Sequence, residues 1–328
     1  MTTYGGLEIA RPDPLLCHLE LPLRRTYYPV GFRLHLATNS REVVNAADAC
    51  WGEYPPEFAF EPLQMRVVVE ANGGPACQPT FRLQGHLMSA VSDAHNFAVV
   101  DFHSLLACIY VSKETAADRS LMRWCFLEST AGTLLAQRYV APLHAATVAR
   151  NGTGVLLCGA SGAGKSTLSF AAASQGWTFV SDDCTWLLIS GSDAIAIGRP
   201  HHARFRDDAP SLFPRLARYN AHERPNGKIT IEVPMRAFPE IRTALRSKIG
   251  GLAWLDRRRG RPPAIKPVAP AEVVRELLNS ASYGSQVDAM HENATKRLLD
   301  LPACRLQYES LDDGLRLFAE FAAGIGAA

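Results

Sequence analysis

Gly154-Val155-Leu156-Leu157-Cys158-Gly159-Ala160-Ser161-Gly162-Ala163-Gly164-Lys165-Ser166 is the most informative stretch of this 328-residue chain. Its first five residues form an apolar run of strand length, and its last eight match Gly-x-x-x-x-Gly-Lys-Ser. A helix is predicted from Lys165 to Gln175, with Gly176 as its stop. Strand, glycine turn and helix are the setting that this motif needs. The glycines let the backbone fold so that successive N–H groups point at phosphate oxygens, and the helix adds its positive N-terminal end. Lys165 is then placed to neutralise β- and γ-phosphates, and the Ser166 hydroxyl to ligate a bridging magnesium ion. The expected nucleotide-binding residues are Gly159, Ala160, Ser161, Gly162, Ala163, Gly164, Lys165, Ser166 and Thr167, with ATP and Mg2+ as cofactors.

Downstream, Trp177-Thr178-Phe179-Val180 reads as the next strand, and Val180-Ser181-Asp182-Asp183 places two carboxylates at its end, the edge where phosphates and metal sit in such sheets. Adjacent residues on an extended chain point opposite ways, so one acid can meet the metal while the other faces an acceptor. A Leu-Ser-Gly-Gly-Gln signature is absent, which argues against a transporter ATPase. Asn-Lys-x-Asp is absent too, which argues against a GTPase. Arg199, Arg204, Arg206 and Lys228 follow the acid pair, and any of them could stabilise charge on a transferring phosphoryl group.

The rest of the chain bounds the answer. Its 34 basic and 32 acidic residues leave a formal net charge of +2, too little overall field to hold nucleic acid or an anionic membrane. The eight cysteines are scattered without a Cys-x-x-Cys pair and read as reduced packing residues. Met1 to Pro14 lacks the basic start and apolar core of a secretory signal. No run reaches the roughly 18 to 20 apolar residues of a membrane span, so the expected location is the cytoplasm. Residues 1–138 are strand-rich: Phe32, Leu34 and Leu36 alternate with polar residues, and Met65 to Val69 and Asn96 to Ser112 supply further strands. Helices are expected from a Ser40 cap through Trp51 and over Ser120 to Tyr139. Asp93, His95, Asp101 and His103 carry metal-ligand chemistry without a recognised spacing, and read as surface contacts. From Tyr139 strands and helices alternate as in an α/β sheet. Gly250 to Val268 reads as a hairpin with Arg257-Arg258-Arg259-Gly260-Arg261 as its exposed turn, followed by helices over Ala271 to Ser280 and, capped by Ser310, to Ala322.

Taken together, His144-Ala145-Ala146, Gly154 to Leu157, Gly159 to Lys165 and Ser181-Asp182-Asp183 resemble the catalytic domain of HPr kinase/phosphorylase. The resemblance covers about Tyr139 to Pro200. It implies an α/β P-loop kinase domain at 139–328, related to phosphoenolpyruvate carboxykinase, preceded by a strand-rich α+β domain at 1–138 that positions a partner. It implies that Lys165 holds phosphate, Ser166 and Asp182 belong to the metal, Asp183 is the base and His144 lies near the reacting phosphate. Two departures stand out. Thr167 occupies the position where the family carries Glu, and the family's Glu-Ile-Arg-Gly stretch is missing, since Glu240-Ile241-Arg242-Thr243 comes too late to replace it. The organisation is more similar to the HPr-kinase-related proteins found beside peptide-modification and export systems, including lasso-peptide kinases. The expected reaction is transfer of the ATP γ-phosphate to a hydroxyl, a Ser of a peptide or small protein, with homo-oligomerisation left open. The rivals are a small-metabolite kinase and a non-catalytic nucleotide switch.

Overall fold

In the computed structural model, which describes residues 19–224, 227–278 and 283–325, the first half of the chain builds a seven-stranded sheet. In spatial order its strands are Leu23–Tyr27, Phe32–Thr38, Phe58–Glu70, Leu106–Ser112, Phe97–Asp101, Leu87–Val91 and Thr80–Gln84. Phe32–Thr38, Phe58–Glu70 and Leu106–Ser112 run parallel, and the outer pairs are antiparallel. Leu34, Leu36, Met65, Val67, Ile109 and Val111 point to one face of this sheet and are buried. Helix Arg41–Trp51 covers that face with Val43, Ala47, Cys50 and Trp51. Ser40 stands at its N-cap, but its hydroxyl donates to Glu42 Oε2 at 2.6 Å instead of capping the backbone. A helical run over residues 119–136 completes the cover, interrupted by a π-turn at Met122–Leu127 where Glu128 N–H reaches Arg123 O.

The second half forms a nine-stranded mixed sheet. Thr178–Ser181, Ala146–Arg150, Thr153–Cys158 and Arg246–Arg257 lie side by side. The first part of Arg246–Arg257 then pairs with Ile195–Ile197, which leads through Thr185–Leu188 to Val140–Leu143. Its last part pairs with Ala303–Tyr308, which also carries Ala264–Pro267. The apolar run at Thr153–Cys158 is explained by cover on both faces. Val155 and Leu157 pack with helices Lys165–Ser174 and Leu311–Ile325, while Leu156 and Cys158 pack with Val273, Val274 and Leu277 of helix Pro270–Leu278. A small sheet of His202–Phe205, Ile229–Pro234 and Ala221–Glu223 leans on Phe170 of the first of these helices.

The hairpin expected over Gly250 to Val268 is corrected: Arg246–Arg257 and Ala264–Pro267 do not pair with each other, because Ala303–Tyr308 lies between them. Cys304, Leu306 and Tyr308 of that strand are buried, and this apolar content earns the interior position. Tyr139 and Val140 bury in the core of the first sheet, Tyr139 stacking on Phe60 and Phe32 at centroid distances of 4.9 and 5.6 Å. Ser310 caps the last helix as expected, its hydroxyl accepting from Asp313 N–H at 3.1 Å. The seven cysteines among the described residues are free thiols. Cys17, the Met1 to Pro14 segment, and Asn279 and Ser280 of the expected helix lie outside the described residues. Among the described residues no helix is long and apolar enough to cross a membrane.

Candidate functional site

Thr153–Cys158 and Thr178–Ser181 point the same way, with Ala146–Arg150 antiparallel between them. Their ends therefore bring the glycine loop, the acid pair and the residue before Ala145 to one sheet edge. The loop leaves Cys158 and enters helix Lys165–Ser174 through Gly164, whose φ of +97° suits glycine alone among common residues. Gly162 is also left-handed, and a Cβ there would lie 3.1 Å from Arg206 Nη2, so that guanidinium rests against the loop. Tyr308 donates from its hydroxyl to Ala163 O at 3.1 Å and holds the loop's end to the sheet. Ala160, Ser161 and Gly162 form an exposed crest, and Thr167 is half-buried in the first helical turn.

Lys165 is buried, at 5% exposure, so its side chain is not solvent-facing. Its ammonium donates to Gly159 O at 2.8 Å and Ala160 O at 3.3 Å, and lies 3.0 Å from His144 Nε2. His144 Nδ1 stands 3.3 Å from Asp183 Oδ1. Burial lowers the His144 pKa from its ordinary value, and Lys165 adds to this, while Asp183 opposes it. A neutral imidazole fits both neighbours: Nε2 accepts from Lys165 and Nδ1–H donates to Asp183. Burial also lowers the Lys165 ammonium from the usual lysine value, against the pull of Asp183. The backbone beside His144 is pinned by hydroxyls. Thr185 Oγ1 donates to Ala145 O at 3.0 Å and meets Thr147 Oγ1 and Ser181 Oγ at 2.7 and 2.6 Å.

The two carboxylates point different ways. Asp183 turns to His144, while the buried Asp182 accepts Arg204 N–H at Oδ2, 2.6 Å away. Burial pushes the Asp182 pKa up to about 6, with Asp183 adding to the rise and Arg204 opposing it. Ser166 Oγ donates to Asp182 O at 3.2 Å, so hydroxyl and acid are neighbours. Hard oxygen donors of this kind suit magnesium, and a cation there would relieve the charge that burial disfavours on Asp182.

Of the four cationic candidates, Arg206 lies on the loop and Lys228 acts on His144 as a nearby positive charge. Arg199 is paired with Glu128. Burial opposes ionisation of Glu128, yet the guanidiniums of Arg199, Arg123 and Arg204 prevail and hold its carboxyl down to about 2. Arg204 instead stacks on Trp124 of the π-turn, 4.7 Å from the ring centroid. Sequence reasoning missed Trp124, Arg123, Glu128, Arg224 and Glu232, which no motif marks. Asp93 caps the turn at His95 and Asn96. Asp101 and His103 meet His86, with candidate ligand atoms of the three within 4.8 Å of one another.

A cleft of about 640 Å³ opens on the other flank of the loop, lined by Ala160, Ser161, Trp254, Arg258, Glu276 and Arg305 among others.

Comparisons with known proteins bear on the middle of the chain. A family model described as SynChlorMet cassette protein ScmC matches residues 107–199, which include the loop and the acid pair. No curated protein matches. Among solved structures, the Hpr(Ser) kinase/phosphatase from Coxiella burnetii is weakly similar, with a TM-score of 0.29 and 14% identity, covering 56% of this chain and 98% of that one.

Proposed function

We propose that this chain is an ATP-dependent kinase that transfers the γ-phosphate to a hydroxyl, the side chain of a Ser on a peptide or small protein. The observation that carries this reading is the chain of contacts Lys165, His144, Asp183 at the mouth of the glycine loop. The loop's N–H groups and helix end receive the phosphates, and the nucleoside lies in the cleft beside Trp254. On nucleotide binding Lys165 exchanges its loop carbonyls for phosphate oxygens. Magnesium, held by Ser166 Oγ and the Asp182 carboxylate, would neutralise charge on the β- and γ-phosphates. Asp183 accepts the proton of the attacking hydroxyl, and His144 keeps that carboxylate oriented through Nδ1–H. The side chains of His144 and Asp183 are 42% and 44% exposed. An open reacting edge favours a peptide acceptor over an enclosed metabolite, and a base beside the loop favours catalysis over a passive switch.

Incubation with γ-labelled ATP and host lysate tests the reading: label enters a protein or peptide with the wild type and falls by about 10²- to 10³-fold with Lys165→Ala, the usual loss for one electrostatic contact to a transition state. Equal labelling by both proteins rules out the loop assignment.

The reaction is expected to run only forward. Phosphorolysis must hold free phosphate beside a second phosphoryl group, which needs extra donors and a proton-returning carboxyl group. Thr167 offers no carboxyl group. Arg242 is engaged elsewhere, donating to Gly176 O where the loop helix ends. Phospho-product, magnesium and inorganic phosphate mixed with the enzyme should yield no pyrophosphate; its appearance would restore the reverse reaction.

A further inference from the structure

Three guanidinium groups gather on the indole of Trp124: Arg224 at 4.1 Å from the ring centroid, Arg123 at 4.5 Å and Arg204 at 4.7 Å. Arg123 is neutralised, pairing with Glu128 and Glu232 at 2.8 Å each. Arg204 and Arg224 make no salt bridge among the described residues, although both feel the charges of Glu128 and Glu232, and each has a buried Nε–H without an acceptor. Stacking on an indole offsets only about 0.5 to 2 kcal/mol per cation, and the nearby Glu128 and Glu232 are already engaged at contact distance by Arg123 and Arg199, so the unmet donors of Arg204 and Arg224 are open to a further anion. Burial and the adjacent Arg204 both lower the Arg224 pKa from the usual guanidinium value, with Asp183, Glu232 and Glu128 opposing them.

The position of this pair says which anion. Arg204 is tied by its backbone N–H to Asp182, and Arg224 stacks on the same indole as Arg204, so both stand on the acid-pair side of the site. The nucleotide's phosphates already have Lys165 and, against Gly162, Arg206. We propose that Arg204 and Arg224, stacked on Trp124, clamp a carboxylate or phosphate of the acceptor beside the hydroxyl that receives the phosphoryl group. The acceptor is therefore an acid-bearing hydroxyl compound, and Trp124 brings the first half of the chain into its recognition. This rests on the kinase reading above.

Three fluorescent pools of otherwise degenerate serine peptides test it, with Asp, phosphothreonine or Asn flanking the serine. Binding is read by anisotropy and transfer by γ-labelled ATP. The Asp or the phosphothreonine pool should bind at least tenfold more tightly than the Asn pool, the winner naming the anion. The advantage should weaken with salt and disappear in Arg204→Gln and in Arg224→Gln, with the acceptor KM raised at least tenfold and the ATP KM unmoved. Equal binding of all three pools overturns the clamp, and so does an effect of both variants on ATP instead of on peptide. Acid-selective binding that both variants abolish, with no label transferred to any pool, supports the clamp and removes the kinase reading.

Discussion

Asp183→Asn is expected to slow transfer to a hydroxyl by about 10³-fold, within the 10²- to 10⁴-fold range of a lost general base, while the affinity for ATP with magnesium changes little. The side chain is half exposed and turned to His144 Nδ1, so the isosteric amide fits without disturbing the core. What changes is the proton chemistry. A carboxylate accepts the hydroxyl proton and also accepts from His144 Nδ1–H. An amide takes up no proton, but with its carbonyl oxygen toward the ring it still accepts from Nδ1–H, so Nε2 stays free to accept from the Lys165 ammonium 3.0 Å away. One substitution thus removes the base and leaves the lysine that meets phosphate in place. Steady-state transfer and calorimetric ATP binding on the same protein separate the two effects. A variant retaining a tenth or more of the wild-type rate would take the base role away from Asp183.

The parts of this architecture that were legible in the sequence are those fixed by neighbours in the chain. The run Gly154 to Cys158 announced a short apolar strand, and the loop and its helix follow within a few residues of it. Extended geometry predicts different directions for Asp182 and Asp183, but both residues sit in the bend after Thr178–Ser181, where contacts to Arg204 and His144 set them. His144 is different: in isolation it reads as an ordinary packing histidine, and only the resemblance linked it to a loop 15 residues later, where the structure joins it to Lys165 and Asp183. The misread hairpin shows the limit from the other side. Two apolar runs around an arginine-rich turn look the same whether they pair with each other or with a third strand, and Ala303–Tyr308 lies too far along the chain to be sensed locally. Trp124 was hidden for a related reason. A π-turn has no local sequence signature, yet here it carries the indole that collects Arg204 from the small sheet and Arg224 from just after its strand Ala221–Glu223.

Asp182→Asn should weaken the magnesium dependence of transfer and, in the same molecule, make the metal-free protein more stable at neutral pH. Burial raises the Asp182 pKa from 3.8 to about 6, so the folded state binds a proton that the unfolded chain has already lost. The sign follows from that difference: the group's contribution is most favourable below 3.8 and is lost as pH rises through about 6. Two pK units correspond to a penalty on the order of 3 kcal/mol above that pH. Asparagine keeps an oxygen for Arg204 N–H but carries no charge, so its advantage over aspartate should be absent near pH 3.5, grow through pH 5 and level off above pH 6. Magnesium acts in the opposite sense, since it stabilises only the protein that binds it, and only where Asp182 is ionised. Melting temperatures of both proteins, from pH 4 to 8 with and without magnesium, read all of this at once. The wild type should gain stability from magnesium only as pH rises past about 6, and the variant at no pH. A variant that melts below the wild type in metal-free buffer at pH 7.5 would mean that the Asp182 charge is already compensated by Arg204, and that this carboxylate is a structural anchor instead of a metal ligand.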